Sequence, residues 1–239
     1  MTLDVVGIVC ALAVEARHLG PATPRNDQLG ALSDGSLLVV SGMGPAAAER
    51  GARALVDAGA TALASWGLAG ALDPTFTAGT IFLPEEVVGT DSSGFPTAKS
   101  WRERVGSAIR ACDPVTHGKL LTTATVVGSA QQKATLFDDT GAAAVDMESL
   151  AVARVADLSR LPFIAVRVIV DGAEDLIPEA IALATDGSGH VQLWRLMGDL
   201  VRAPANFAPL MRLARRYRAA NRSLAAVARA GISPCTRTS

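Results

Sequence analysis

Aromatic residues are scarce in this chain: one tyrosine, three tryptophans and six phenylalanines among 239 residues, 4% in all. Proteins that grip single-stranded nucleic acid rely on exposed rings for base stacking, so that class falls away. Cysteine is nearly as sparse. Cys10, Cys112 and Cys235 are odd in number and widely separated, which excludes a disulfide framework and a paired-cysteine zinc site and leaves Cys10 as core packing. His18, His117 and His190 lack metal-ligand spacing. No run of eighteen apolar residues occurs, and no basic segment precedes an apolar one at the N-terminus. The expectation is therefore a cytoplasmic protein with neither a membrane span nor a secretory signal. There is no Gly-Lys-Ser/Thr, and Gly42-Met43-Gly44 lacks the third glycine of a dinucleotide fingerprint. Nucleoside-triphosphate and nicotinamide chemistry recede, and no metal or organic cofactor is implied.

What is present is apolar and aliphatic. Hydrophobic residues make up 49% and charged residues 19%, so Ala, Val and Leu must fill the interior of a chain near the upper size for one compact domain. Strand-like segments fall at Val5 to Ala11, Leu37 to Ser41, Ala62 to Trp66, Thr80 to Pro84, Lys119 to Val127 and Phe163 to Val170. Helical patterns cover Ala46 to Ala58, Arg102 to Ala111 and Met147 to Leu158. Pro21 to Gly35 reads as loop, with a hairpin signal at Asp34-Gly35, and two small-residue loops follow strands at Ser41 to Pro45 and Gly67 to Ala71. The alternation predicts an α/β protein, a three-layer α/β/α sandwich around a central mixed sheet. Residues 1–191 are expected to form this domain, with 192–239 as a basic helical extension packed on it.

The chemistry-bearing feature is a set of carboxylates at strand ends. Leu161 to Asp171 is an unbroken apolar run closing on an acid, the pattern of a strand buried on both faces that delivers a side chain to a crevice. Asp146-Met147-Glu148-Ser149 marks a second junction, and Glu15 follows the first strand. Each acid taken singly has an ordinary alternative as a turn cap, a helix N-terminal residue or a solvated helix residue. Three at equivalent junctions point to one shared site.

Gly7-Ile8-Val9-Cys10-Ala11 leading to Glu15, then Ser41-Gly42-Met43-Gly44, Gly67-Leu68-Ala69-Gly70, Val145-Asp146-Met147-Glu148 and Val166-Arg167-Val168-Ile169-Val170-Asp171 resemble, in that order, the nucleoside phosphorylase and nucleosidase superfamily. The resemblance is strongest to its hopanoid-associated phosphorylases. It implies cleavage of the N-glycosidic bond of a 5′-modified adenosine, adenosylhopane above all, with release of adenine. In that chemistry the ribose gains positive charge and the departing purine negative charge, so the base must be protonated and the sugar cation stabilised. The resemblance makes Asp171 the acid at adenine N7 and Glu15 the residue that orients the attacking water. Glu148 becomes the ribose-hydroxyl acceptor, with Met147 against the ribose and Met43 near its 5′ end. Gly67, Ala69 and Gly70 would line the substrate, and Val126 and Val127 stand where related nucleosidases place an aromatic over adenine. Ser65 and Leu68 stand where hexameric phosphorylases hold phosphate, and Glu15 would repel a phosphate dianion. Water is thus favoured as nucleophile, with phosphate as the alternative co-substrate. A methylthioadenosine or adenosylhomocysteine nucleosidase is the nearest rival, and a purine-binding module without turnover is the non-enzymatic one. Relatives of this kind are homo-oligomers, which the resemblance extends to this chain.

Net charge is −1, unevenly spread: from Trp194 to Ser239 nine arginines face the single acid Asp199, giving +8 against −9 elsewhere. Phe207, Leu210, Met211, Ala214, Tyr217, Leu224, Ala225 and Ala228 recur at helical spacing opposite Arg212, Arg215, Arg216 and Arg222. This is a basic amphipathic helix, expected to pack its apolar face on the sheet. Its arginines suit peripheral contact with an anionic membrane; with no base-reading motif in the helix, nucleic acid is not expected as a partner.

Overall fold

The computed structural model describes residues 5–20, 24, 27–110, 114–175 and 207–232. Eleven strands form one mixed sheet. Its path begins β2 (Leu29–Ala31), β3 (Leu37–Val40), β1 (Val6–Cys10), β4 (Ala62–Ala71) and β10 (Ala142–Asp146), and continues through β9 (Lys119–Thr122), β6 (Glu86–Gly89) and β7 (Gly94–Pro96). Off this path, β11 (Phe163–Asp171) pairs with β4 and with β5 (Ile81–Phe82), and β5 pairs with β8 (Val115–Thr116). Strands β3, β1, β4 and β11 run parallel. Hence β1, β4 and β11 deliver their C-terminal ends to one edge of the layer, where ligands of such sheets bind.

Helices cover both faces. On one side α2 (Pro45–Asp57) and α5 (Ser149–Leu158) join the core through Ala48, Ala52, Leu55, Val152 and Val155. On the other, α3 (Lys99–Arg110) and α6 (Phe207–Ala230) bring Trp101, Val105, Ile109, Ala220, Leu224 and Val227. The period-2 geometry of a strand explains the split: in β11, Phe163, Ala165 and Ile169 face the first pair, and Ile164, Val166 and Val168 the second. Alanine on α2 and α5 is what lets these helices sit close to a sheet with few aromatics to fill gaps. Two shorter helices are also present among the described residues. Ala13–Ala16 (α1) follows β1, and Ala130–Thr140 (α4) is capped by Ser129, whose Oγ accepts from the Gln132 amide, and ends on left-handed Gly141.

The α/β/α sandwich is as expected, and so is the hairpin at Asp34-Gly35, where β2 and β3 pair antiparallel. Four local expectations are corrected. Gly67 to Ala71 is no loop: β4 runs through it, its glycines and alanines being the small residues of a strand approached closely from above. The strand expected over Lys119 to Val127 ends at Thr122, leaving Val126 and Val127 in the following loop. The helix expected from Met147 begins at Ser149, with Glu148 as its cap. In α6 the buried stripe is Ala220, Leu224 and Val227, while Ala225 is only partly covered. Strands β2, within the span read as loop, and β6, β7 and β8, with helix α4, were not anticipated, because their residues show neither long apolar runs nor a strong helical stripe. The boundary at 191/192, Cys112, Cys235, His190 and the arginines 195, 202 and 237 lie outside the described residues.

Candidate active site

Gly70 is where the chain brings its acids together. On one side it pairs with Val145 of β10, on the other with Asp171 of β11. The Asp146-Met147-Glu148 turn and the end of β11 therefore flank a single position. Strand β1 ends earlier along β4, Cys10 opposite Trp66, and α1 then folds back over Gly67. Glycine is required at both β4 positions by close approach: a Cβ on Gly67 would lie 2.9 Å from Oε1 of Glu15, and one on Gly70 3.1 Å from Oδ2 of Asp171. The floor of the site is shaped to admit two carboxylates.

These groups surround a pocket of ≈ 180 Å³. Glu15, Met43, Ala69, Gly70, Val126, Val127, Met147, Glu148 and Asp171 all line it, so nine of the ten residues singled out in the sequence share one cavity. Gly67 does not line it; it lies beneath the Glu15 carboxylate. Leu68, Thr123, Thr125, Val145, Asp146 and Val170 complete much of the wall. Among the described residues none that lines it is aromatic.

Each acid is held differently. Glu15 is buried and accepts from the amides of Leu12 (3.1 Å, at Oε2) and Leu68 (3.0 Å, at Oε1). The indole of Trp66 donates to its backbone carbonyl (3.1 Å). Burial pushes its pKa up, with the two amides and Arg167 working against that. Glu148 receives the amide of Gly44 at Oε1 (2.8 Å). The Ser41-Pro45 loop thus presents a backbone N–H to a carboxylate of the protein; Gly44 adopts φ +90 just before Pro45 starts α2. Loss of solvent, and then the charge of Asp146, raise the Glu148 pKa to about 7. Asp171 is buried and its pKa is raised by desolvation, opposed chiefly by Lys133.

Sequence reasoning assigned no role to the two buried cations that organise this ring of acids. Arg167 lies within β11, and its guanidinium donates to Asp146 Oδ2 through Nε (2.9 Å) and Nη2 (2.6 Å). The same Nη2 reaches Ser65 Oγ (2.6 Å) and Ser149 Oγ (2.8 Å), and Nη1 the carbonyl of Val166 (3.0 Å). Thr122 Oγ1 (2.6 Å) and the Ser149 amide (3.1 Å) satisfy the rest of Asp146. Lys133, from α4, is fully buried and donates to Asp171 Oδ2. The Val-Arg…Asp spacing on one strand was the available signal for Arg167. For Lys133 there was none, since a lysine on a weakly patterned helix is ordinarily solvated. Ser65, expected near a phosphate position, has its hydroxyl committed to Arg167 and Ser149, and the Leu68 amide is taken by Glu15. Among the described residues no group of His, Cys, Asp and Glu is arranged to hold a metal ion.

Comparison with curated protein sequences returned no match. Among solved structures, the 5′-methylthioadenosine/S-adenosylhomocysteine nucleosidase of Helicobacter pylori superposes with a TM-score of 0.66 at 16% identity, over 84% of this chain and 100% of that one. The futalosine hydrolase of the same organism gives 0.64 at 17%, over 72% and 87%. The S-adenosylhomocysteine nucleosidase of Streptococcus pyogenes gives 0.62 at 20%, over 73% and 86%. At these identities the likeness establishes the fold. The model of the phosphorylase superfamily matches residues 6–188, a span containing all of the pocket residues named above, and the chain therefore belongs to the phosphorylase superfamily.

Proposed function

We propose that this protein cleaves the N-glycosidic bond of a 5′-modified adenosine and releases adenine, with water as the nucleophile. The observation that carries the reading is the convergence of Glu15, Glu148 and Asp171 on one pocket from three separate strand ends. Asp171 protonates the base at N7, its buried position favouring the protonated acid. Glu148, ionised, accepts the ribose hydroxyls and stabilises the sugar cation. Glu15 orients water beneath C1′. Met147 lies along the ribose, Met43 toward the 5′ group, and Val126 and Val127 form aliphatic walls for the purine, with Ala69 and Gly70 as the floor. The reaction drawn this way needs no metal or organic cofactor.

Charge favours water over phosphate. Both buried cations of the site are already engaged by the protein, Arg167 by Asp146 and Lys133 by Asp171 and the Gly172 and Asp175 carbonyls, while among the described residues Glu15 and Glu148 have only backbone donors. A phosphate dianion would enter a cavity with excess negative charge. The solved relatives named for hydrolysis or nucleosidase activity support the same reading.

For the 5′ substituent we favour the hopanoid chain of adenosylhopane, on the motif resemblance and the apolar lining. The second reading, a methylthioadenosine or adenosylhomocysteine nucleosidase, rests on the names of the solved relatives. An apolar lipid substrate is reached at a membrane surface. Helix α6 supports that use: its apolar stripe is packed on the sheet, while Arg212, Arg215, Arg218, Arg222 and Arg229 stay exposed. No described helix is long and apolar enough to cross a membrane, so contact would be peripheral, from the cytoplasmic side, and we extend the homo-oligomeric state of the family to this chain. Incubation of the purified protein with adenosylhopane and with 5′-methylthioadenosine, each with and without phosphate, tests all of this. Free sugar and adenine without phosphate is the expected result. Sugar 1-phosphate would establish phosphorolysis, preferential turnover of the thioether would transfer the assignment to the second reading, and no adenine at all would refute cleavage. Co-flotation with anionic liposomes that is negligible at low salt would refute the membrane contact.

A further inference from the structure

Lys133 is the most completely buried charged side chain at the site, with no exposed surface. An ammonium has three donors and no acceptor, and here each donor is assigned: to Asp171 Oδ2, to the carbonyl of Gly172 (2.7 Å) and to the carbonyl of Asp175 (3.3 Å). Both carbonyls belong to the segment that continues β11. The lysine therefore fixes the last residue of the strand and the turn after it. Asp171 Oδ1, by contrast, has no protein hydrogen bond among the described residues, and Asp171 lines the pocket. One carboxyl oxygen is tied to the protein and the other is left for a ligand. Asp175, whose Oδ2 accepts from the Gly172 amide (2.8 Å), is itself paired through Oδ1 with Arg216 of α6 (2.5 Å); these, with Glu148 across the pocket, are the other charged groups near Asp171 among the described residues.

We propose that Lys133 is a positioning residue for departure of the base: it holds Asp171 by Oδ2 so that Oδ1 meets the leaving purine, and its charge stabilises the carboxylate that forms there. This rests on the nucleoside-cleaving reading above. In the step itself the proton on Oδ1 of Asp171 moves to N7, and the C1′–N9 electron pair goes to the base. Water adds to C1′ and its proton passes to Glu15, and the carboxylate left at Asp171 faces the ammonium until solvent protons restore the acid. The ammonium keeps its own proton throughout. An ion pair that strengthens as the bond breaks accelerates the reaction, since it is stronger in the transition state than in the ground state.

The test compares an adenine nucleoside with its N7-methylated counterpart, whose base already carries positive charge and leaves without a proton. Lys133→Gln keeps donors for the Gly172 and Asp175 carbonyls and removes the charge. It should lower kcat for the adenine nucleoside about 100-fold, in the range of a general-acid contribution, with KM little changed, while kcat for the N7-methylated nucleoside stays within a few-fold. Lys133→Arg, which restores a cation, should recover most of the loss. Should Lys133→Gln fail to fold, Lys133→Met carries the same comparison. An equal loss on both nucleosides, or no loss on either, overturns the proposal and leaves Lys133 a structural anchor. A wild-type protein that cleaves neither nucleoside overturns the underlying reading, and this one with it.

Discussion

Replacing Glu148 by glutamine should make the protein more stable and inactive at once, and the gain should appear only where Glu148 is ionised. A carboxyl whose pKa rises from 4.5 in the unfolded chain to about 7 in the folded one makes the native state the better proton binder between those values. Stability therefore falls as pH rises from about 4.5 to about 7, and the deficit is complete above that. Such a shift corresponds to a few kcal/mol. The side chain lines an open pocket, so screening by water lowers this to ~1–3 kcal/mol. Glutamine is nearly isosteric and its carbonyl oxygen can still accept the Gly44 amide, now 2.8 Å from Oε1, so little is lost in exchange. At pH 8 the variant should melt roughly 3–9 °C above the wild type. At pH 5, where Glu148 of the folded wild type is neutral and only the unfolded chain is partly ionised there, most of that difference should be gone. Thermal unfolding at the two pH values decides the matter. A variant no more stable than wild type at pH 8, or equally stabilised at pH 5, would show that Glu148 carries no strained charge, and that its link to the ribose must be argued on other grounds.

Catalysis should follow the same ionisation: kcat/KM for an adenine nucleoside should rise through about pH 7 as Glu148 loses its proton, and a flat profile between pH 6 and 8 would contradict the role assigned to it. Gly67→Ala places a Cβ 2.9 Å from Oε1 of Glu15, so it should displace that carboxylate and lower kcat about 10–100-fold while circular dichroism stays unchanged; wild-type turnover would mean that Glu15 is not needed where it sits. Arg167→Met strips Asp146 of its ion pair and should cost ~3–5 kcal/mol in urea unfolding. The double variant Arg167→Met/Asp146→Asn should recover part of that, and strictly additive losses would refute the coupling. Added phosphate should leave both the rate and the free-sugar product unchanged, since no unpaired buried cation awaits it among the described residues of the site; a rate proportional to phosphate would overturn the hydrolytic assignment.

The acids were legible in the sequence because burial leaves a signature there. A strand covered on both faces has no polar alternation, so an apolar run that stops on Asp171 marks both the strand and the point where it meets the site. The same logic located Glu148 and Glu15. What was hidden depends on contacts between distant segments. Gly67 to Ala71 looked like a flexible connection because small residues also mark loops, whereas here they mark a strand over which two carboxylates must fit. Lys133 gave no signal, since its desolvation is compensated only by Asp171 and two carbonyls about forty positions further along the chain. Val126 and Val127 were placed correctly in the pocket but wrongly in a strand; an exposed valine, such as Val126 at 40%, follows the β-propensity pattern without the pairing that would make it one.

The arrangement of charge explains why such a site is costly and why the cost has a use. Of the four acids around the pocket, Asp146 and Asp171 have cationic partners and Glu15 and Glu148 do not. Burying such acids is unfavourable, and desolvation raises the pKa of both glutamates. A substrate whose C1′ becomes cationic reverses the sign: the unpaired carboxylates then face developing positive charge on the ribose, and the field that destabilised the free protein stabilises the transition state. In the reaction we propose, the paired acid, Asp171, would work at the opposite end of the breaking bond, where negative charge develops on the base and a proton is required. The fold separates the two environments by drawing them from different elements, uncompensated acids from the ends of β1 and β10 and the cation-backed acid from the end of β11, on either side of Gly70. A bound anion would cancel this polarity rather than exploit it, which is the physical reason for proposing water rather than phosphate as the nucleophile.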